Sequence, residues 1–283
     1  ITKVRNIIED GTAVSLRTLR MSDDGSVKES STEIASLIGM MFTILIYMFI
    51  LMYGNMVMQA VLEEKKSRVV EVMVSSVKPV NLLVGKIIGI GLVGLTQLAV
   101  WIVMTTVLMG GVSLFISSPD QAVAMSSGMG DINIEGIMST VMSINWFEVI
   151  LYFVLFFIGG YVLYASIFAM FASAVDSEED TTQFMTPVTL VIFFAFFAGF
   201  YSVSNPDGPL AFWTSLIPFT SPIVMMVRIP FGIPFWEILL SLVLLYGTFI
   251  VISVFAAKIY RVGILMYGKK PSFKEMMKWV TYK

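Results

Sequence analysis

The residues whose types and spacing could do chemistry in this chain gather between Leu62 and Pro79, and their chemistry is docking rather than catalysis. Glu63, Glu64, Lys65, Lys66, Arg68 and Glu71 crowd together between two long apolar runs. Glu64 stands four residues before Arg68, and Arg68 three before Glu71, a ladder worth a few tenths of a kcal/mol per pair on an exposed helix. Val69, Val70, Met73, Val74 and Val77 recur at spacings of three and four and predict an apolar stripe along the same helix. Glu71 and Arg68 are the expected polar contacts of such a surface, with Met73 on its stripe and Lys78 at its end. Pro79 is expected to start the next helix. Lys86 is expected at the lipid interface, its stem snorkelling. Basic residues beside a membrane are also drawn to anionic lipid.

Most catalytic chemistry is excluded. The chain has no cysteine and no histidine, which removes thiolate and imidazole metal sites and every histidine-based triad. An intramembrane Ser/His protease fails for the same reason. An aspartyl one fails because no proposed span carries a pair of mid-span Asp residues. No G-x-x-x-x-G-K-[ST] motif occurs. Lys86 is followed by Ile87 and Lys269 by Lys270, so neither can place a hydroxyl on Mg²⁺. The chain is therefore expected to catalyse nothing and to bind no cofactor, metal or nucleic acid.

Composition says what must position these residues. The chain is 57% hydrophobic and 13% charged, against about 25% charged in a soluble domain. The charges are clustered, so the expected class is an all-α polytopic membrane protein. Five spans are expected, at about 34–60, 87–116, 148–174, 184–203 and 238–257. Gly85, Gly89 and Gly94 near the start of the second are expected to let helices approach closely. Gln97 could line a path for substrate, but a hydrogen bond between helices, worth about 1 kcal/mol, is the ordinary use of such a residue. Pro187 falls near the expected start of the fourth span, where a missing N–H is best tolerated. The acidic link 176–180 reads as a solvated turn.

Residues 208–227 are uncharged and long enough to span, but Pro209, Pro218 and Pro222 interrupt them, and Trp213 suggests interfacial depth. They are expected to form re-entrant or interfacial short helices. Pro218, Pro222, Arg228 and Pro230 would then lie in an outer region, with Arg228 on lipid headgroups. In this arrangement 61–86, 174–183 and 258–283 share one side. That side holds twelve of the 18 basic residues and is expected to be cytoplasmic.

The organisation expected is the end of an extracytoplasmic domain over 1–33, a transmembrane domain over 34–260, and a basic cytoplasmic tail over 261–283. The transmembrane domain includes the cytoplasmic segment 61–86 and the outer loops 117–147 and 204–236. Alternating Val14, Leu16 and Thr18 hint at a strand in the first part. Because the first residue is Ile1 and this order starts outside, a further span is expected upstream. The parent protein would have six spans, with a large outer domain between its first and second.

Three patches carry a resemblance. The first runs from Glu63 to Met73 and on through Lys78-Pro79-Val80-Asn81-Leu82-Leu83-Val84-Gly85-Lys86. The second is Pro218-Phe219-Thr220-Ser221-Pro222-Ile223 with Arg228-Ile229-Pro230-Phe231-Gly232. The third runs from Ala256 to Lys269, and a weaker one lies around Asp180 to Pro187. Together they resemble the permease subunits of ABC exporters of the type-2 export permease family, in its NatB-like, sodium-extruding branch. The resemblance implies a membrane subunit working with a separate cytoplasmic ABC ATPase that binds ATP and Mg²⁺. It also implies a dimer with a second permease copy or a related permease, in contact with membrane lipids. Segment 61–86 would be the coupling helix on the ATPase, through Glu63, Glu64, Lys65, Lys66, Arg68, Glu71, Met73, Lys78 and Pro79. Sodium or small amphipathic compounds would be exported. The competing reading is a non-transport assembly or signalling protein whose 61–86 segment docks another cytoplasmic partner.

Overall fold

A computed structural model describes residues 29–115, 145–268 and 273–281. The strand hint at Val14–Thr18, nearly all of loop 117–147 and most of the 1–33 segment lie outside the described residues. The elements are α1 (Glu29–Lys66), α2 (Val69–Val74), α3 (Pro79–Phe115), α4 (Trp146–Ala174), α5 (Glu178–Ser204), α6 (Pro209–Leu216), α7 (Ser221–Arg228) with a 3₁₀ turn (Ile229–Phe231), α8 (Phe235–Gly263) and α9 (Phe273–Trp279). No strand occurs among the described residues. Five helices, α1, α3, α4, α5 and α8, are long and apolar enough to cross a membrane. The protein is an all-α, multi-pass membrane protein.

Helix α4 is the hub. It packs most extensively on α8 and α1, and its aromatic side chains build a column inside the bundle. Phe153, Phe157 and Tyr161 follow one another at four-residue spacing, with ring centroids 6.4 and 5.9 Å apart. Phe49 of α1 meets Phe157 edge-on at 5.7 Å. The Tyr161 hydroxyl donates to the Ile87 carbonyl of α3 at 2.8 Å, so the ring's polar end is satisfied where it is buried. Close approach uses glycine. A Cβ on Gly160 would lie 2.8 Å from Pro222, and one on Gly39 would lie 2.8 Å from the Val227 carbonyl.

Those two glycines receive α7, whose eight residues are all buried. Eight residues of helix span about 12 Å, well short of a hydrocarbon core of about 30 Å. Helix α7 is therefore too short to span by itself and is held inside the bundle. Its partner α6 carries Trp213, 63% exposed.

Three boundaries differ from the sequence expectation. The fourth span starts earlier, because Ser177 caps it: its Oγ accepts from the Asp180 N–H at 3.2 Å, and Glu178, Glu179 and Asp180 suit the positive end of the helix. Pro187 is thus not at a helix start but inside α5, where it leaves the Gln183 carbonyl without its helical donor. The helix expected over 62–79 is divided, with α1 ending at Lys66 and α2 starting at Val69. Beyond the turn that follows, Pro79 opens the next helix as expected, and that helix is α3 itself, so the second span begins at Pro79 rather than near residue 87.

Candidate functional site

The break at Ser67–Arg68 contains neither Gly nor Pro. Arg68 takes a left-handed conformation, φ 56°, which costs a residue with a Cβ about 1–2 kcal/mol. The chain is held there from below by Lys65. This lysine is 1% exposed. Its ammonium donates to the Ser173 carbonyl at 2.7 Å and the Gly263 carbonyl at 3.0 Å, and pairs with Asp176 Oδ1 at 3.0 Å. Two of its donors make hydrogen bonds to carbonyls, and its charge is balanced by Asp176. Ser173 and Gly263 belong to the last turns of α4 and α8, where unpaired carbonyls carry partial negative charge and favour a cation. The two helix ends touch here: a Cβ on Gly263 would lie 2.9 Å from the Ser173 carbonyl.

Further contacts complete the joint. Asp176 Oδ2 accepts from the Gly268 N–H at 2.6 Å, and Lys66 pairs with Glu178 at 2.8 Å. Glu64 pairs with Lys86 at the start of α3, so it does not form the expected ladder with Arg68. The Arg68 guanidinium instead lies over the Tyr267 ring, 5.7 Å from its centroid. Partial burial, then the Glu71 carboxylate, push the Tyr267 phenol up from its ordinary value, while Arg68 pulls it the other way. Lys65, Lys66, Arg68, Asp176, Tyr267 and Gly268 line an open recess of about 480 Å³.

Of the residues assigned to a docking surface, Glu63, Lys66, Arg68, Glu71 and Lys78 are exposed, Glu64, Met73 and Pro79 are half-buried, and Lys65 is not available. The interface role expected of Lys65 is corrected: its ammonium is enclosed by the ends of α4 and α8. The apolar stripe is split. Val70 is buried, whereas Val69, Val72 and Val77 are exposed, Val72 at 73%. Glu63 and Lys78 take part in no ion pair among the described residues. The free face of α2 and its flanks is therefore valine surface bordered by charge. Asp176, Gly263 and Tyr267 were not singled out from sequence. Lys65 could have been: Tyr53, Val57 and Val61, all buried, form a four-residue row along α1 that continues to Lys65.

Of the glycines expected to pack, Gly94 does, with Tyr53 3.0 Å from where its Cβ would be. Gly85 and Gly89 do not, since nothing lies within 4 Å of either Cβ position; both face away from the bundle. Gly91, against Tyr161, packs instead. Gln97 is exposed and makes no hydrogen bond between helices among the described residues.

At the other end of α8, Pro222 sits inside the bundle against Gly160, Pro218 in the turn before α7, and Pro230 in the 3₁₀ turn. Arg228 is 2% exposed and does not reach headgroups. It pairs with Glu237 at 2.8 Å and donates to Ser215 Oγ at 2.7 Å and the Pro206 carbonyl at 2.8 Å. Glu237 and Gly263 stand at opposite ends of α8, about 39 Å apart at 1.5 Å per residue. A hydrocarbon core with its headgroup layers measures about 40–45 Å. Each end of the bundle is thus tied by one buried cation.

A groove with a mostly apolar lining and a few polar side chains runs between α1 and α5. Asn55 faces Thr182, Thr186 and Thr189 across a space of about 430 Å³, with Met58 and Phe193 on its walls. Asn55 and the three threonines are exposed on the surface of the chain.

The sequence model of the family described as "ABC-2 family transporter protein" matches residues 7–258. The chain is 33% identical over 249 residues to "Uncharacterized protein YhaP" of Bacillus subtilis (strain 168), covering 87% of this chain and 56% of that protein. It is 22% identical over 256 residues to "Uncharacterized protein MJ1024" of Methanocaldococcus jannaschii, covering 90% of this chain and 56% of that protein. The chain thus spans about half the length of these relatives. No solved structure matches it.

Proposed function

This chain belongs to the ABC-2 family of transporter proteins, and from that premise we propose that it is the membrane-spanning permease subunit of an ATP-driven exporter. A separate cytoplasmic ATPase, carrying ATP and Mg²⁺, drives it through segment 61–86. The observation that carries this reading is the Lys65 anchor. Helix α2 offers Val69 and Val72 outward. The residue four before Val69 holds the last turns of α4 and α8. A push on α2 therefore reaches two spans through short polar contacts rather than through a slack loop.

The groove of Asn55, Thr182, Thr186 and Thr189 is the face on which a second permease would close a path. Thr182 and Thr186 donate to the Glu178 and Thr182 carbonyls of their own helix, so the Asn55 carboxamide is the group that is costly against lipid, and Pro187 leaves the Gln183 carbonyl without its helical donor. Hydroxyls, a carboxamide and a carbonyl suit a small polar or cationic substrate, in keeping with the NatB-like branch that the three sequence patches resemble. Segment 61–86 and the end of α8 lie on the cytoplasmic side in this reading, with α6 and α7 towards the outside.

The test is cross-linking. This chain has no cysteine, so Val72→Cys introduces a single thiol into it. With a thiol-to-amine reagent, the full-length protein co-expressed with the neighbouring ATPase should give a covalent pair, and Arg68→Ala with Glu71→Ala should reduce both that product and co-purification. A pair formed with no ATPase, or co-purification untouched by the double change, counts against the reading.

A further inference from the structure

We propose that the recess between the start of α3, the end of α8 and the turn after α9 is a binding site for an anionic membrane phospholipid. The recess has a volume of about 670 Å³ and is walled by Val80, Val254, Ala257 and Val280, with Lys258 and Arg261 at its rim.

Four of these residues form one stripe. Val254, Ala257, Lys258 and Arg261 lie at spacings of three, four and seven on α8, so they share a face. Along it the surface changes from hydrocarbon to cation towards the helix end. The change falls at a meaningful depth. Residues 238–257 carry no charge, and twenty residues of helix rise about 30 Å, the thickness of the hydrocarbon core. Lys258 therefore stands at the level of headgroup phosphates, with Val254 one turn below it at the level of acyl chains.

The two cations are uncommitted. Lys258 and Arg261 are exposed and make no ion pair or hydrogen bond among the described residues. No carboxylate lines the recess. Lys65, Lys66, Lys86 and Arg228 each have a carboxylate within ion-pair distance, whereas Lys258 and Arg261 have an apolar wall beside them. Buried Met276 and Trp279 hold α9 against the bundle, which places Val280 on the wall. Arg and Lys together match a phosphate, the guanidinium as a fork and the ammonium as a point charge. Basic pockets of this kind between membrane helices select anionic headgroups.

Native mass spectrometry of the full-length protein in detergent tests the site. The probes are dioleoylphosphatidylglycerol, dioleoylphosphatidylcholine and free glycerol 3-phosphate. The expected result is a tight phosphatidylglycerol adduct, with neither the zwitterionic lipid nor the free phosphate binding comparably. Lys258→Gln with Arg261→Gln should weaken that adduct about 25-fold, about fivefold for each cation near the surface. The swap Lys258→Arg with Arg261→Lys should retain it, and Val254→Trp, which fills the wall and keeps the charge, should weaken it. Equal binding of both lipids, free phosphate binding as well as lipid, or an adduct unaffected by the Gln pair overturns the site.

Discussion

The Lys65 ammonium donates to the Gly263 carbonyl at 3.0 Å across 198 residues of sequence. This contact joins the end of the first described span to the end of the last. Because Lys65 also holds Ser173 and Asp176, one side chain closes three helix ends into a single joint. The surface helix α2 begins four residues later.

Replacing Lys65 by Met removes the charge and keeps the bulk. Two carbonyls then lose their donor and one carboxylate its counter-charge. Asp176 is 36% exposed and regains water, so the cost should be about 2–3 kcal/mol, below the roughly 3–5 of a fully enclosed pair. Lys66→Met, beside it in sequence but exposed, should change little. Thermal unfolding of the two variants in one detergent separates these outcomes, and equal melting temperatures would remove the case for an anchor.

Glycines that read alike in sequence should part in stability. Gly263→Ala drives a methyl to 2.9 Å from the Ser173 carbonyl and should cost about 1–3 kcal/mol. Gly89→Ala meets nothing within 4 Å and should be neutral or stabilising by up to about 1 kcal/mol through helix propensity. The check is the order of the two melting temperatures. A loss at Gly89 as large as that at Gly263 would mean that a neighbouring chain covers its face.

Arg228 and Glu237 should behave as a coupled pair. Removing either charge alone strands the other in a buried site and should cost about 3–5 kcal/mol. Arg228→Met with Glu237→Leu should cost clearly less than the two single losses added together. A double-mutant cycle in thermal or denaturant unfolding measures this, and strict additivity would contradict the pairing.

The spans were legible in the sequence because the charges are clustered, and the short helices of 208–231 because three prolines interrupt an uncharged run that is otherwise long enough to cross. The density of charge at 61–86 was legible too. What that charge does was not. Lys65 and Lys66 are adjacent identical letters, yet a helix turns about 100° between them, sending one inward and one to water. The Glu64–Arg68 ladder fails because Arg68 leaves the helix without a Gly or Pro to signal it, and Glu64 turns to Lys86. Arg228 was legible as a cation near prolines but not as a buried one, since its partner Glu237 lies across the 3₁₀ turn on another helix. Pro187 was misplaced because Ser177 caps α5 within the acidic link read as a turn.

If α2 drives the spans through Lys65, as proposed, ATP moves the far end of the bundle, and a distance measurement tests this most directly. Ile217, 45% exposed, follows α6, beside the Arg228 end of the bundle. In the proposed complex, with a second copy of this chain as the other permease, spin labels at Ile217→Cys on the two copies, read by double electron–electron resonance, should move relative to one another when ATP binds the proposed ATPase. With Lys65→Met, studied below its melting temperature, the ATPase should still co-purify while the ATP-dependent shift between the labels is lost. A shift of unchanged size in the Lys65→Met complex would contradict the account.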